Sequence, residues 1–397
     1  MAKSGKKHLS KYNLISTIAF VAIVLLILFL LRYVLPILKE NDPKNKLEQD
    51  SVSHTITSSD AGDGDLNIHF ISVGQADSIF IQFPNGYNML VDAAEKSSVN
   101  KVISYISDLG VDTLDYVLLT HQDADHCGGM ADIFDRFVVK NALRPSVYST
   151  YKNYSLPELF NVGTTSQSLG SSTATYYNYL NAIYNEEGCQ WEVFNKDSDI
   201  SFVYTATSEA TVSAERQAEY DSTSIDSGNG AEMQNQIEYE CFVDFLSPTA
   251  EVGDIKYKQA NNFSPIMMIT YCGVKIMLTG DAEKEVEEEV LDFYKNRDLD
   301  VDILKVGHHG SKTSSTSGFI SAVKPEIAVI SCGLDPSKNK FCPWQVTLDT
   351  LTNIGAAIYR TDIHGNIILT VSSDSKYSIN TDNTCDDYSL VLTGYSN

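Results

Sequence analysis

The sequence predicts an α/β domain behind a single apolar span, and three observations carry that prediction. Short strand-like runs alternate with amphipathic helical runs from residue 66 onward. Metal-ligand side chains stand at the ends of several of those strand runs. An uncharged stretch of eighteen residues, Leu14 to Leu31, precedes all of it.

Met1 to Asn13 carries Lys3, Lys6, Lys7 and Lys11 and no acid. Continued by Tyr33 to Leu38, the apolar run reaches the roughly 20 residues that cross a bilayer. A cleaved signal peptide would have a shorter apolar core and a small-residue cleavage site. No Ala-x-Ala pattern follows Leu31, and Arg32-Tyr33 suits an interfacial anchor. The expectation is a basic cytoplasmic tail at 1–13, an uncleaved transmembrane anchor at 14–38, and the rest of the chain outside the cell membrane. Residues 39–64 are polar and read as a flexible linker.

Leu66 to Val73, Asp77 to Phe83 and Asn88 to Asp92 alternate like strands, with turns at Gly74-Gln75 and Pro84–Gly86, so an antiparallel opening is expected. Val99 to Leu109 is helical, with Val102, Ile103, Ile106 and Leu109 on one face. A strand at 115–120 and a helix from Met130 to Phe137 follow. Residues 146–240 give weak signals apart from a helix at 173–187, and about 206–238 reads as a polar surface insertion. Strands return at 241–246, 264–271, 274–279, 301–306 and 327–330. Helices are expected at 282–295, with Val286, Val290, Leu291 and Phe293 inward, and at 344–354. Strands 357–361 and 366–371 read as a final hairpin around His364, which bounds the domain at 65–372 and leaves 373–397 as a tail.

The chain carries 29 basic and 52 acidic residues, a net charge of −23. Such a balance excludes a broad basic surface for nucleic acid, though bound cations can reverse the field locally. The cysteines, among them Cys127, Cys272, Cys332 and Cys342, are odd in number and form no CxxC pair, so no disulfide framework is indicated.

His121, Asp123, Asp125 and His126 place two imidazoles and two carboxylates directly after an apolar strand. That density suits two cations a few ångströms apart. Asp92, Asp281 and the pair His308-His309 also follow strand ends, and strand ends converge along one edge of a sheet.

These motifs resemble the metallo-β-lactamase fold, and more narrowly the extracellular hydrolase domain of the ComEC competence family. They are Val73-Gly74-Gln75-Ala76-Asp77-Ser78, Leu90-Val91-Asp92, His121 to His126 with Gly128-Gly129, Leu278-Thr279-Gly280-Asp281, and Leu304 to Ser311. The resemblance implies an αββα sandwich with two divalent metal ions, Zn²⁺ or Mn²⁺, at its edge. His121 and Asp123 would bind one, Asp125 and His126 the other, and Asp281 both. Either His308 or His309 would complete the second site, with Asp92 orienting the loop from behind. Asp125 and Asp281 would carry the chemistry. Departures from the family pattern are Ala76 for Gly, the lack of any His between His126 and His308, and Cys342-Pro343 where His-Pro is usual. Cys342 is either a ligand or plain packing. Lys305 and Ser311-Lys312 either touch a phosphate or are solvated.

The function expected is a membrane-anchored extracellular phosphodiesterase, with DNA first among substrates. A small or cell-envelope phosphodiester is the enzymatic alternative, and a surface interaction module the non-enzymatic one. β-Lactam hydrolysis is disfavoured by the missing histidines.

Overall fold

The structure, a computed structural model, describes residues 64–151, 156–169, 173–207, 236–335, 340–385 and 387–395. The expected anchor, nearly all of the linker and most of the polar insertion lie outside the described residues. Among the described residues no helix is long and apolar enough to cross a membrane.

Strands β1 (Leu66–Phe70), β2 (Ile79–Gln82) and β3 (Asn88–Val91) form the expected antiparallel opening. Helix α1 (Val99–Asp108) returns the chain, and β4 (Thr113–Leu118) adds parallel to β3. Helices α2 (Ala124–Cys127) and α3 (Met130–Arg136) precede β5 (Val138–Arg144), which is parallel to β4. A short ribbon of β6 (Val147–Tyr148) and β7 (Thr164–Thr165) leads through α4 (Thr173–Asn185) to β8 (Gln190–Val193) at the sheet edge.

The chain then builds a second sheet. Strands β9 (Ile200–Thr207), β10 (Gln236–Phe245), β11 (Met267–Tyr271) and β12 (Val274–Leu278) are antiparallel neighbours. Helix α5 (Lys284–Phe293), β13 (Ile303–Lys305), α6 (Ser317–Val323) and β14 (Ile327–Ile330) continue it in parallel. A second ribbon, β15 (Leu334–Asp335) with β16 (Lys340–Phe341), precedes α7 (Gln345–Asn353) and β17 (Ala357–Arg360). One turn of helix, α8 (Thr361–His364), sends the chain back to the first sheet as β18 (Ile367–Val371) and β19 (Tyr377–Thr381), and α9 (Tyr388–Val391) closes the fold.

The strand orders are β19-β18-β1-β2-β3-β4-β5-β8 and β17-β14-β13-β12-β11-β10-β9. Period-2 alternation sorts the side chains into layers. Ile276, Ile303 and Val329 of the second sheet face Ile68, Ile81 and Leu369 of the first between the sheets. Leu114 and Val117 turn outward onto Val102 and Ile106 of α1. Met277, Leu304 and Ala328 turn the other way, onto Val286 and Val290 of α5. Each such aliphatic side chain contributes about 1.5–3 kcal/mol by leaving water, and the result is the αββα sandwich.

Three expectations need correction. The run 357–371 is no hairpin: β17 lies parallel to β14 in the second sheet, whereas β18 pairs with β1 in the first. Alternation shows which faces are buried and says nothing about the partner. The domain also continues past residue 372, because β19 extends the first sheet and the buried Arg360 guanidinium donates to the carbonyls of Leu390, Val391 and Thr393. Finally, Phe293 is 53% exposed. Helix α5 ends there, and Tyr294 packs partly against the core instead.

Candidate metal centre

The parallel strands point their C-terminal ends the same way, and the polar side chains gather there. Asp92 follows β3, His121 to His126 follow β4 and start α2, Asp281 follows β12, and His308-His309 follow β13. The backbone is bent hard at these points. Asp92, His308 and His309 all have positive φ, at 59°, 49° and 55°, a region costly for residues with a β-carbon and common where geometry serves a site. Gly129 permits the tight approach beneath: a β-carbon there would lie 2.3 Å from the Ala93 carbonyl oxygen.

His121, His126 and Asp281 bring ligand atoms within 4.8 Å of one another, as do Asp125, His126 and His309. Asp281 Oδ2 lies 3.3 Å from His126 Nε2, 3.6 Å from His309 Nε2 and 3.7 Å from His308 Nε2. Asp125 Oδ2 is 3.7 Å from His309 Nε2. Asp123 is at the rim, its Oδ2 3.8 Å from His121 Nε2.

Behind these atoms, each imidazole is oriented by its other nitrogen. His126 Nδ1 is 2.7 Å from Asp92 Oδ2, and Asp92 also accepts from the Thr120 amide and hydroxyl at 2.8 and 2.7 Å. His309 Nδ1 donates to the Ser331 carbonyl at 2.9 Å. His121 Nδ1 meets, among the described residues, the hydroxyls of Thr120 and Ser264, at 3.1 and 3.2 Å. His308 is partly exposed, with Nδ1 beside Thr313 and Glu283. The structure therefore separates the two neighbouring histidines that the sequence left equivalent.

Among the described residues the buried front atoms lack hydrogen-bond partners: His121 Nε2, His126 Nε2, His309 Nε2, Asp281 Oδ1 and Asp77 Oδ1. Leaving one such group unsatisfied costs about 1–3 kcal/mol, and several together fit a bound cation. By contrast His69, with both ring nitrogens bonded to Tyr105 and Gln82, is a structural histidine, and burial pushes it down to about 4. Burial, aided by nearby His126, also lowers His121, which leaves it neutral as a ligand must be. Burial would lower His126 too, but the Asp281 and Asp92 carboxylates outweigh it and hold it well above the usual range. Asp281 is the converse: burial would raise it, and the imidazoles of His126, His309 and His308 keep it well below the usual carboxylate range.

Two residues received no correct role from the sequence. Asp77 lies with Asp281 and His309 in one cluster, its Oδ1 3.8 Å from His309 Nδ1. Lys305 is fully buried and pairs with Asp77 Oδ2 at 2.8 Å while donating to the Val306 carbonyl. It is therefore neither solvated nor placed to reach a phosphate, contrary to both roles open to it. The available signal was a lysine inside the apolar run 301–306, which demands a buried counter-charge. Cys342 is buried, and Pro343 packs on Gly310, the residue after His309.

Residues 71–160, which include Asp77, Asp92 and His121 to His126, match the Metallo-beta-lactamase superfamily. ComE operon protein 3 of Bacillus subtilis is 25% identical over 318 residues, covering 76% of this chain and 32% of that protein. Competence protein ComA of Neisseria gonorrhoeae is 31% identical over 122 residues, 31% of this chain and 17% of that one. Recombination protein 2 of Haemophilus influenzae is 30% identical over 111 residues, 27% and 13% of the two chains. The chain thus spans a third or less of the length of these relatives.

Proposed function

We propose that this chain, a ComEC-like protein on the metallo-β-lactamase fold, is a two-metal hydrolase of phosphodiesters with DNA as its foremost substrate. The observation that carries this reading is the convergence of buried, unpartnered nitrogen and oxygen atoms at the strand ends. His121, Asp123 and Asp281 would hold one cation. Asp125, His126, Asp281 and His309 would hold the other, and His309 is preferred to His308 because it is buried beside Asp125. Imidazole mixed with carboxylate suits Zn²⁺ or Mn²⁺. Two such ions supply Lewis acidity toward a phosphoryl oxygen and activation of water.

The chain's own groups do the rest. Asp92 holds the proton of His126 at Nδ1 and so presents Nε2 forward. The Ser331 carbonyl does the same for His309. His308, on the solvent side of Asp281 with Nδ1 engaged by Thr313 and Glu283, delivers a proton from Nε2 to the departing oxygen. The apolar run at 14–38 supports attachment to the cell membrane, with the catalytic domain outside.

The net charge of −23 favours a smaller, cell-envelope phosphodiester as the second reading, since an acidic surface repels a polyanion. The test is metal analysis and cleavage by the full chain in detergent. The expected result is about two metals per chain and Mn²⁺- or Zn²⁺-dependent cutting of DNA. DNA, RNA and bis-p-nitrophenyl phosphate all left intact would overturn the proposal. Cleavage of the small diester alone would select the second reading.

A further inference from the structure

We propose that Lys312 and Trp344 form a platform at the mouth of the metal centre that takes one base and the adjoining phosphate of a single-stranded nucleic acid. This rests on the phosphodiesterase reading above and sharpens its substrate class.

Lys312 stands three residues after His309, is exposed, and holds its Nζ 4.0 Å from the centroid of the Trp344 ring. The indole rests on a fixed base. The Trp344 amide donates to the Gly310 carbonyl at 2.8 Å, its own carbonyl accepts from Thr347 and Leu348, and the Pro343 carbonyl accepts from Tyr395. Pro343 lies so close to Gly310 that a β-carbon there would be 2.6 Å away. The loop carrying His309 and the segment carrying Trp344 are therefore joined at Gly310.

Among the described residues Lys312 shares the lack of an ion pair with the exposed Lys101, Lys256, Lys258 and Lys295, and differs from them in resting on an aromatic ring. Lys96, Lys140, Lys324 and Lys376 each reach an aspartate: Asp132, Asp115, Asp300 and Asp374. Lys312 forms no ion pair among the described residues, although the chain has 52 acidic residues against 29 basic ones. Its ammonium rests on an aromatic face and stays available to an anion.

The exchange is favourable in kind. A cation on a half-buried ring such as that of Trp344 is held more weakly than a base stacked on that ring. A nucleobase would displace the ammonium from the indole, and the ammonium would move to the neighbouring phosphate. Stacking needs a base already out of a duplex, which selects single strands. The same two residues would give a chain of net charge −23 a point of attraction for its substrate beside the His309 loop.

The test uses the full chain, a short oligothymidylate, and a strand of equal length with abasic sugars. With EDTA present to prevent turnover, oligothymidylate should quench tryptophan fluorescence and the abasic strand should not. Trp191, the other tryptophan, is stacked against Phe160 and Arg144, so the change should vanish in Trp344→Ala and return in Trp344→Phe only as binding. In the metal-loaded enzyme, Trp344→Ala should raise KM for oligothymidylate about tenfold, and Trp344→Phe should restore most of it. Lys312→Gln should weaken both strands alike and reduce the salt slope by about one. Equal quenching by the two strands, or none by either, overturns the platform whether or not DNA is cut. Selective quenching without any cleavage supports the platform and removes the hydrolase reading instead.

Discussion

On one side of the metal centre, His126 and His309 have their rear nitrogens fixed by a carboxylate and a backbone carbonyl, with the Asp77–Lys305 pair buried close behind. On the other side, His121 leans on two hydroxyls and Asp123 reaches in from a partly exposed rim. Carboxylate support raises the basicity of an imidazole ligand and locks its tautomer, and hydroxyl support does neither as firmly. The difference teaches that the two cation sites proposed to share Asp281 need not be equal. The His126 side should bind tightly and early, and the His121 side loosely and exchangeably.

The largest effect should come from removing what both sides share. Asp281→Ala should abolish turnover and empty both sites, read by metal analysis after dialysis; a variant that keeps one equivalent would break the shared-ligand assignment. Next, Lys305→Met leaves Asp77 as an uncompensated buried carboxylate, and should cost about 3–5 kcal/mol in denaturant unfolding. A double change with Asp77→Asn should recover much of that loss. Asp92→Asn should weaken binding on the His126 side about 10–100-fold by metal titration, leaving the weaker site nearly as before. The smallest change is Ser264→Ala, which takes one hydroxyl from His121 Nδ1 and from the Asp281 amide. It should weaken the His121 side by about tenfold or less. If Ser264→Ala proved more damaging than Asp92→Asn, the ranking of the two sides would be reversed.

The strand ends and the candidate ligand residues gathered there were legible in the sequence because each motif is local: an apolar run followed within a few residues by His or Asp. The antiparallel opening was legible for the same reason, since tight turns specify their own pairing. What stayed hidden was non-local. Alternation in 357–371 could not reveal that β17 and β18 belong to different sheets. The split between His308 and His309 depends on Ser331, Glu283 and Thr313, all distant or unmarked in sequence. Asp77 was noticed within a motif, yet its partner lies 228 positions away at Lys305. The apolar run at 14–38, the plainest signal in the chain, falls outside the described residues.

The position of β1 has a consequence for synthesis. Leu66–Phe70 lies between β2, which follows at once, and β18, which is made some three hundred residues later. Throughout translation, one edge of that apolar strand has no native neighbour, the condition under which strands pair wrongly. The candidate ligands up to His309 all emerge before the strand that covers this edge. A nascent chain could therefore gather these candidate ligands while its first sheet is still open, and only the last fifth of the polypeptide commits the domain to its final form.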